Sequence, residues 1–264
     1  MTLEVLISTM NRKDLSFLDS MFAKTGYHKY QILIVNQTSK DKILESNQSN
    51  IRIVNSFEYG LSKSRNLAIK RAFGDICLLA DDDITYVKDF DKIVLETFEN
   101  FNKADIITFQ MVDESGKLFN DYPNIIEHDK KTLKTVNSVV IAFNRKAVNK
   151  QQIRFNEHFG LGAKFQTADE YIFLRNALAS KLTICFQNKV ILSHKFYSSG
   201  KAVGSDRKVY AMGALFYKYS NILAYLRLIK HLFFIYKRKY ISLRELLPKF
   251  LIGIKGIRDY KRLQ

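Results

Sequence analysis

The sequence predicts an α/β protein with a mostly parallel central sheet and helices on both faces. Between Leu3 and Phe143, short β-type runs alternate with segments of helical spacing, the pattern of βαβ units. One run, Ile76–Ala80 (ICLLA), is apolar throughout, as a strand buried on both faces requires. A third observation sets the end of the chain apart. From Arg207 to Gln264, eight Lys and six Arg stand against Glu245 and Asp259, so +12 of the net +16 lies there. The expected organisation is therefore a body of residues 1–205 followed by a basic helical extension, 206–264.

The elements follow in order. Leu3–Ser8 (LEVLIS) reads as the first strand, and helical spacing runs from Asp14 to Ala23. Gln31–Val35 and Ile51–Val54 are the next strands. Gly60–Ala72 reads as a turn and a helix. Gly60 permits the turn, Ser62 is the expected N-cap, and the free N–H groups of the new helix suit a phosphate, with Lys63 and Arg65 adding charge. Ile76–Ala80 is the buried strand, Asp89–Phe101 a helix, and Asp105–Met111 and Val136–Phe143 further strands. Val112–Thr135 is polar, without periodicity and longer than a usual connection, which marks a functional or mobile loop. From Asp206 the pattern is helical and basic.

Composition excludes several classes. With 264 residues, 47% hydrophobic and 26% charged, the chain can bury a sizeable core and is no disordered tail, collagen or disulfide scaffold. Cys77 and Cys185 sit in apolar runs and read as reduced, buried thiols. The N-terminus lacks a basic region and a small-residue cleavage site, so no signal peptide is expected. No run reaches the ~18 uncharged apolar residues of a spanning helix. The expected location is cytoplasmic, peripheral at the inner face of the cell membrane. The basic end seeks a polyanion, either nucleic acid or an anionic membrane surface. The chain lacks zinc-finger, RRM and basic-zipper patterns, so no nucleic-acid partner is expected. Ile222–Tyr240 mixes aliphatic and aromatic residues with Arg227, Lys230, Lys237, Arg238 and Lys239, the composition of a helix lying in a membrane interface.

The strongest chemical signal is Leu78-Leu79-Ala80-Asp81-Asp82-Asp83. Three carboxylates at a strand end repel one another unless a cation sits among them. Hard oxygen donors favour Mg²⁺ or Mn²⁺ shared with substrate phosphates. In open α/β sheets ligands bind beyond the carboxyl ends of the strands, which also brings Ser8–Asn11 and Asn36–Thr38 into view. Further on, a glycine-containing loop, FGLGAKFQTA, leads to Asp169 and Glu170, which open a helix. Acids there serve as dipole partners or as a general base for a hydroxyl nucleophile.

In this order, ISTMNR, IVNQTS, GLSKSRNLAI, LLADDDITY and FGLGAKFQTADEYIFLR resemble glycosyltransferase family 2, the inverting nucleotide-sugar transferases of GT-A fold, from Leu3 to His194. The resemblance implies a nucleoside-diphosphate sugar donor, UDP-linked, with Mn²⁺ or Mg²⁺. The implied acceptor is a hydroxyl of a saccharide or lipid-linked saccharide, in surface polysaccharide synthesis. It puts Thr9 and Asn11 against the base and ribose, Arg65 near the diphosphate, and Asp81 on the ribose. Asp83, with Asp82, would hold the metal, and His194 would lie beside the metal and diphosphate. Asn36 stands where the family usually has an aspartate that reads the base, which leaves the nucleotide open. Ser8 replaces a usual proline. The family's acidic pair is Glu then Asp with the second acid as base; here the order is reversed, and Phe173-Leu174 align Glu170 with the base while Asp169 remains its rival. One base and one displacement invert the anomeric centre, with no carboxylate nucleophile.

Two other readings compete with this one. Asp81–Thr85 fits the D-x-D-x-T of a haloacid-dehalogenase-like phosphatase, but three candidate strands precede it and no downstream G-D-x-x-x-D follows. A basic nucleic-acid-binding protein would have to tolerate the acidic cluster against a polyanion.

Overall fold

Runs of apolar residues too long for one-sided burial form the centre of the sheet. Val5–Ile7, Ile32–Val35 and Ile76–Ala80 are each at most 1% exposed. They belong to β1 (Leu3–Met10), β2 (Gln31–Gln37) and β4 (Ile76–Asp81), and with β3 (Ile51–Ser56) they make a four-stranded parallel half in the order β3-β2-β1-β4. The computed structural model describes residues 1–195 and 203–264. The chain divides into two compact units: Met1–Asn156 with Glu170–Phe196, and Glu157–Asp169 with Tyr197–Gln264.

The first unit extends the sheet beyond β4. β7 (Ile141–Asn144) lies antiparallel between β4 and β6 (Ile106–Val112), β8 (Ile184–His194) runs parallel to β6, and β5 (Ile84–Tyr86) closes the edge antiparallel to β8. The expected α/β fold with a largely parallel sheet is observed, with β7 and β5 reversed. Flanking helices are α1 (Phe17–Met21), α2 (Leu61–Arg71), α3 (Phe90–Asn100), α4 (Arg145–Lys150) and α5 (Asp169–Ala179).

Three local expectations change. The helix expected over Asp14–Ala23 shrinks to α1, because Asp14 Oδ1 accepts the backbone N–H of Ser16 at 2.9 Å and its hydroxyl at 2.5 Å, a local turn that competes with helix. The strand expected over Val136–Phe143 becomes a 3₁₀ turn at Ser138–Val140 followed by β7. Asn120 holds the carbonyl of Thr135 at 2.9 Å and the side chain of Asn137, and Arg65 holds Ser138, which draws this stretch out of the ladder. Ser62 is not the N-cap of α2; Gly60 holds that place with φ +126°, a conformation side chains rarely adopt. The polar Val112–Thr135 segment is pinned by buried His128, whose Nε2 lies 2.7 Å from Thr108 Oγ1 and Nδ1 3.1 Å from Thr132 Oγ1.

The second unit holds α6 (Asp206–Ser220), α7 (Ala224–Lys237) and α8 (Leu246–Lys261), together with the Glu157–Asp169 loop. Its core contains Val209, Leu228, Leu232, Ile235 and Ile257. α6 and α8 approach closely at glycines: a methyl group on Gly256 would run into the carbonyl of Tyr210. Phe159 and Phe165 of the loop pack edge-on against Tyr260, so the glycine-containing motif is anchored to these helices. Among the described residues no helix is long and apolar enough to cross a membrane.

Candidate active site

Strand register sets the site. Ser8 pairs with Asp81 and Thr9 with Asn36, so the carboxyl ends of β1, β2 and β4 finish at one level of the sheet. The chain then turns at Asp82-Asp83 into β5, which pairs with a different neighbour, β8, and brings Ile84 opposite His194. The acidic triplet thus sits where the sheet changes partners.

Each of the three carboxylates has a different basic partner. Asp81 accepts from Arg65 Nη2 at 2.8 Å. Asp82 accepts from Arg12 Nε at 2.7 Å and from the Thr9 hydroxyl. Asp83 Oδ1 lies 3.3 Å from His194 Nε2. This arrangement resolves the like-charge repulsion expected of the triplet. The His194 hydrogen bond holds the Asp83 carboxyl below the usual carboxylate range, and the same contact raises the imidazole above its ordinary value.

The three sites differ in access. Arg65 is 2% exposed; besides Asp81 it donates to Ser138 Oγ at 2.7 Å, and its guanidinium lies 5.5 Å from the Phe155 ring centre. The Asp81 and Asp82 side chains are 28% and 22% exposed, whereas that of Asp83 is 54% exposed. His194 Nδ1 lies 2.6 Å from the carbonyl oxygen of Lys195, which requires a proton on Nδ1. Once neutral, the ring therefore presents the Nε2 lone pair towards Asp83. Two donors about 3 Å apart match adjacent ligands of an octahedral ion with bonds of about 2.1 Å. Asp83 and His194 thus fit a divalent cation, while Asp82 is tied to Thr9 and Arg12.

Asn36 is fully buried. Its Oδ1 accepts Arg12 N–H at 3.2 Å, and its Nδ2 donates to Arg12 O at 3.3 Å and to Asn55 Oδ1 at 3.1 Å. The side chain thus grips the backbone of the residue that holds Asp82. Asn11 adopts a left-handed φ of 55° and donates its N–H to Gln37 O at 2.9 Å. Gln37 Oε1 accepts the N–H of Gly60 at 2.6 Å, joining the end of β2 to the start of α2.

Hydrogen bonds and ion pairs therefore gather Thr9, Asn36, Arg65 and Asp81–Asp83 with His194 around the carboxyl ends of the strands. Asp169 and Glu170 are placed by another element, the first turn of α5. Asp169 is 5% exposed, and Glu170 is half-buried. Arg12, Asn55 and Ser138 were not singled out from sequence. Arg12 lies inside the quoted ISTMNR motif, so its charge beside the acidic triplet was the available signal; Ser138 carried none.

The mixed α/β sheet, with the carboxylate triplet where it changes partners, has the GT-A type of fold seen in its structural neighbours. The chain belongs to glycosyl transferase family 2, whose model matches residues 5–171, and it is a glycosyltransferase. Among solved structures, S. aureus TarS 1–349 in complex with UDP-GlcNAc is 15% identical, with a TM-score of 0.63 over 97% of this chain and 82% of that one. The mannosyltransferase PcManGT from Pyrobaculum calidifontis, in complex with GDP-Man and Mn²⁺, is 13% identical, with a TM-score of 0.57 over 98% of this chain and 86% of that one. No curated protein matches the sequence significantly.

Proposed function

We infer that this enzyme transfers a sugar from a UDP-sugar to a hydroxyl of a saccharide or lipid-linked saccharide in surface polysaccharide synthesis, inverting the anomeric centre. The observation that carries this reading is the separation of tasks within the triplet. Asp81 and Asp82 are held by Arg65 and Arg12, and Asp83 is left exposed beside an imidazole. Thr9 and Asn11 would line the nucleoside, with Asn36 acting through the Arg12 backbone that it holds. Asp81 would take the ribose, with Arg65 fixing its orientation. Asp83 and His194 would hold Mn²⁺ or Mg²⁺, with remaining ligands drawn from diphosphate oxygens and water. When bound, the cation neutralises charge on the departing diphosphate without proton transfer.

Glu170 would remove the acceptor proton. A base must reach a hydroxyl arriving from solvent, and half-buried Glu170 meets that need better than Asp169 at 5% exposure. Neighbours in complex with UDP-GlcNAc and with GDP-Man and Mn²⁺ support a nucleotide-sugar donor and a divalent ion. Calorimetric titration with UDP and GDP, with and without Mn²⁺, tests the assignment. Tight UDP binding that needs Mn²⁺ and vanishes in Asp83→Ala is expected. An unchanged Asp83→Ala titration removes the metal assignment, and binding of GDP in place of UDP corrects the base.

A further inference from the structure

The second unit has one apolar face more than its own packing uses. α7 buries Ala224, Leu228, Leu232 and Ile235, spaced i, i+4, i+8 and i+11, in the core of the unit. The same helix carries Leu226, Ile229 and Phe233, spaced i, i+3 and i+7, at 64%, 52% and 52% exposure. Ile222 precedes this stripe at 75%. On a helix turned to water that face should be polar. The exposed apolar residues continue through the turn into α8 with Tyr240, Leu243, Leu247 and Leu251.

Cations surround these residues. Arg227, Lys230, Lys237, Arg238, Lys239 and Arg244 are all exposed, and none forms an ion pair among the described residues. Lys237 Nζ lies 4.8 Å from the centre of the Phe233 ring, and the Arg238 guanidinium 5.2 Å from that of Phe234. At the α7–α8 turn an open recess of about 520 Å³ is lined by Tyr236, Lys237, Lys239, Ile241 and Ser242. The nearby acid, Glu245, is occupied in accepting the N–H and hydroxyl of Ser242, both at 2.8 Å.

We propose that the α7–α8 hairpin docks on an anionic lipid bilayer, with the Leu226–Ile229–Phe233 stripe in the acyl boundary and the surrounding cations at the level of the lipid phosphates. Charge complementarity selects this occupant. Aliphatic and aromatic side chains rimmed by Lys and Arg match an interface with apolar chains beneath and phosphates above. At the α7–α8 turn the cations Lys237 and Lys239 stand beside this apolar surface, where lipid phosphates would meet them. The proposal rests on the second unit alone and is independent of the sugar-transfer reading.

The full chain should co-sediment with phosphatidylcholine vesicles that contain phosphatidylglycerol, less so at high salt, and weakly with phosphatidylcholine alone. Lys237→Gln with Lys239→Gln alters only exposed side chains and should weaken partition into the anionic vesicles by roughly 30-fold, at on the order of 1 kcal/mol per cation. The chain has no tryptophan, so Phe233→Trp places a single reporter on the stripe. Its emission should shift to the blue on anionic vesicles. Equal binding to both vesicle types, binding to neither, or co-sedimentation with unchanged Trp emission overturns the proposal.

Discussion

The two units handle charge in opposite ways. In the first, three neighbouring carboxylates each meet a separate basic group, Arg12, Arg65 or His194, at 2.7 to 3.3 Å. In the second, six exposed cations on α7 and the following turn stand without ionic partners among the described residues, two of them over aromatic rings. Fixed one-to-one pairing defines points in space, which suits a small ligand whose groups must be located within fractions of an ångström. An unpaired basic rim defines only a field, which suits an extended surface whose charges move. Substitutions in the first unit should therefore act sharply and individually, and those in the second by gradual loss.

The largest expected effect is on chemistry. Glu170→Gln keeps shape and most hydrogen bonding but cannot take the proton. Transfer should fall roughly 10²–10⁴-fold while UDP titrates as before. Asp169→Asn should be mild. The reverse result, with Asp169→Asn inactive and Glu170→Gln active, moves the base by one residue. Next comes Arg65→Met, which leaves Asp81 and Ser138 without their buried partner. Loss of hydrogen bonds to a charged, partly buried group costs roughly 1.5–3 kcal/mol, and a urea-unfolding difference well below 1 kcal/mol would show that the pairing is not rigid.

Much of the first unit was legible because its signals are local. Apolar runs such as ICLLA are too long for a strand with one wet face, so they fixed β1, β2 and β4, and the acidic end of β4 followed. What stayed hidden depends on partners far along the chain. β5 is three residues long, too short for a period to show, and exists by pairing with β8. The break before β7 comes from Asn120 and Arg65, respectively 17 residues from Asn137 and 73 from Ser138. The commitment of Asn36 to the Arg12 backbone could not be read from IVNQTS, because it requires β1 and β2 side by side. In the second unit, composition pointed to the basic apolar face, while nothing local in the sequence marks the glycines that let α6 and α8 approach.

A third prediction concerns pH in the first unit. Burial lowers the His128 imidazole from 6.5 to about 4. The unfolded chain therefore binds a proton that the folded chain refuses between these values, and stability declines as the pH falls through that window. The full difference is on the order of 3 kcal/mol. His128→Gln should flatten the decline in Tm between pH 7 and pH 4.5. A parallel slope in the variant would assign the acid sensitivity to other groups.

The smallest effect sharpens the comparison from the helical side. Ser205 is the N-cap of α6, and its hydroxyl oxygen accepts the N–H of Lys208 at 3.3 Å. Asp206, in the first turn, accepts from Lys249 of α8 at 2.6 Å, so the start of α6 is tied to a second helix. Ser205→Ala removes the capping acceptor and should cost about 1 kcal/mol, whereas Ser205→Asp supplies another and should restore most of it. Hydrogen exchange should rise along α6 in the Ala variant and return in the Asp variant. Titration of UDP with Mn²⁺ should be unchanged in both, because the carboxylates that would bind them are fixed by contacts within the first unit. A matching loss of nucleotide affinity in Ser205→Ala, rescued by Ser205→Asp, would mean that the cap of α6 also supports the carboxylate site, and the contrast between a self-sufficient site and a separate docking unit would fail.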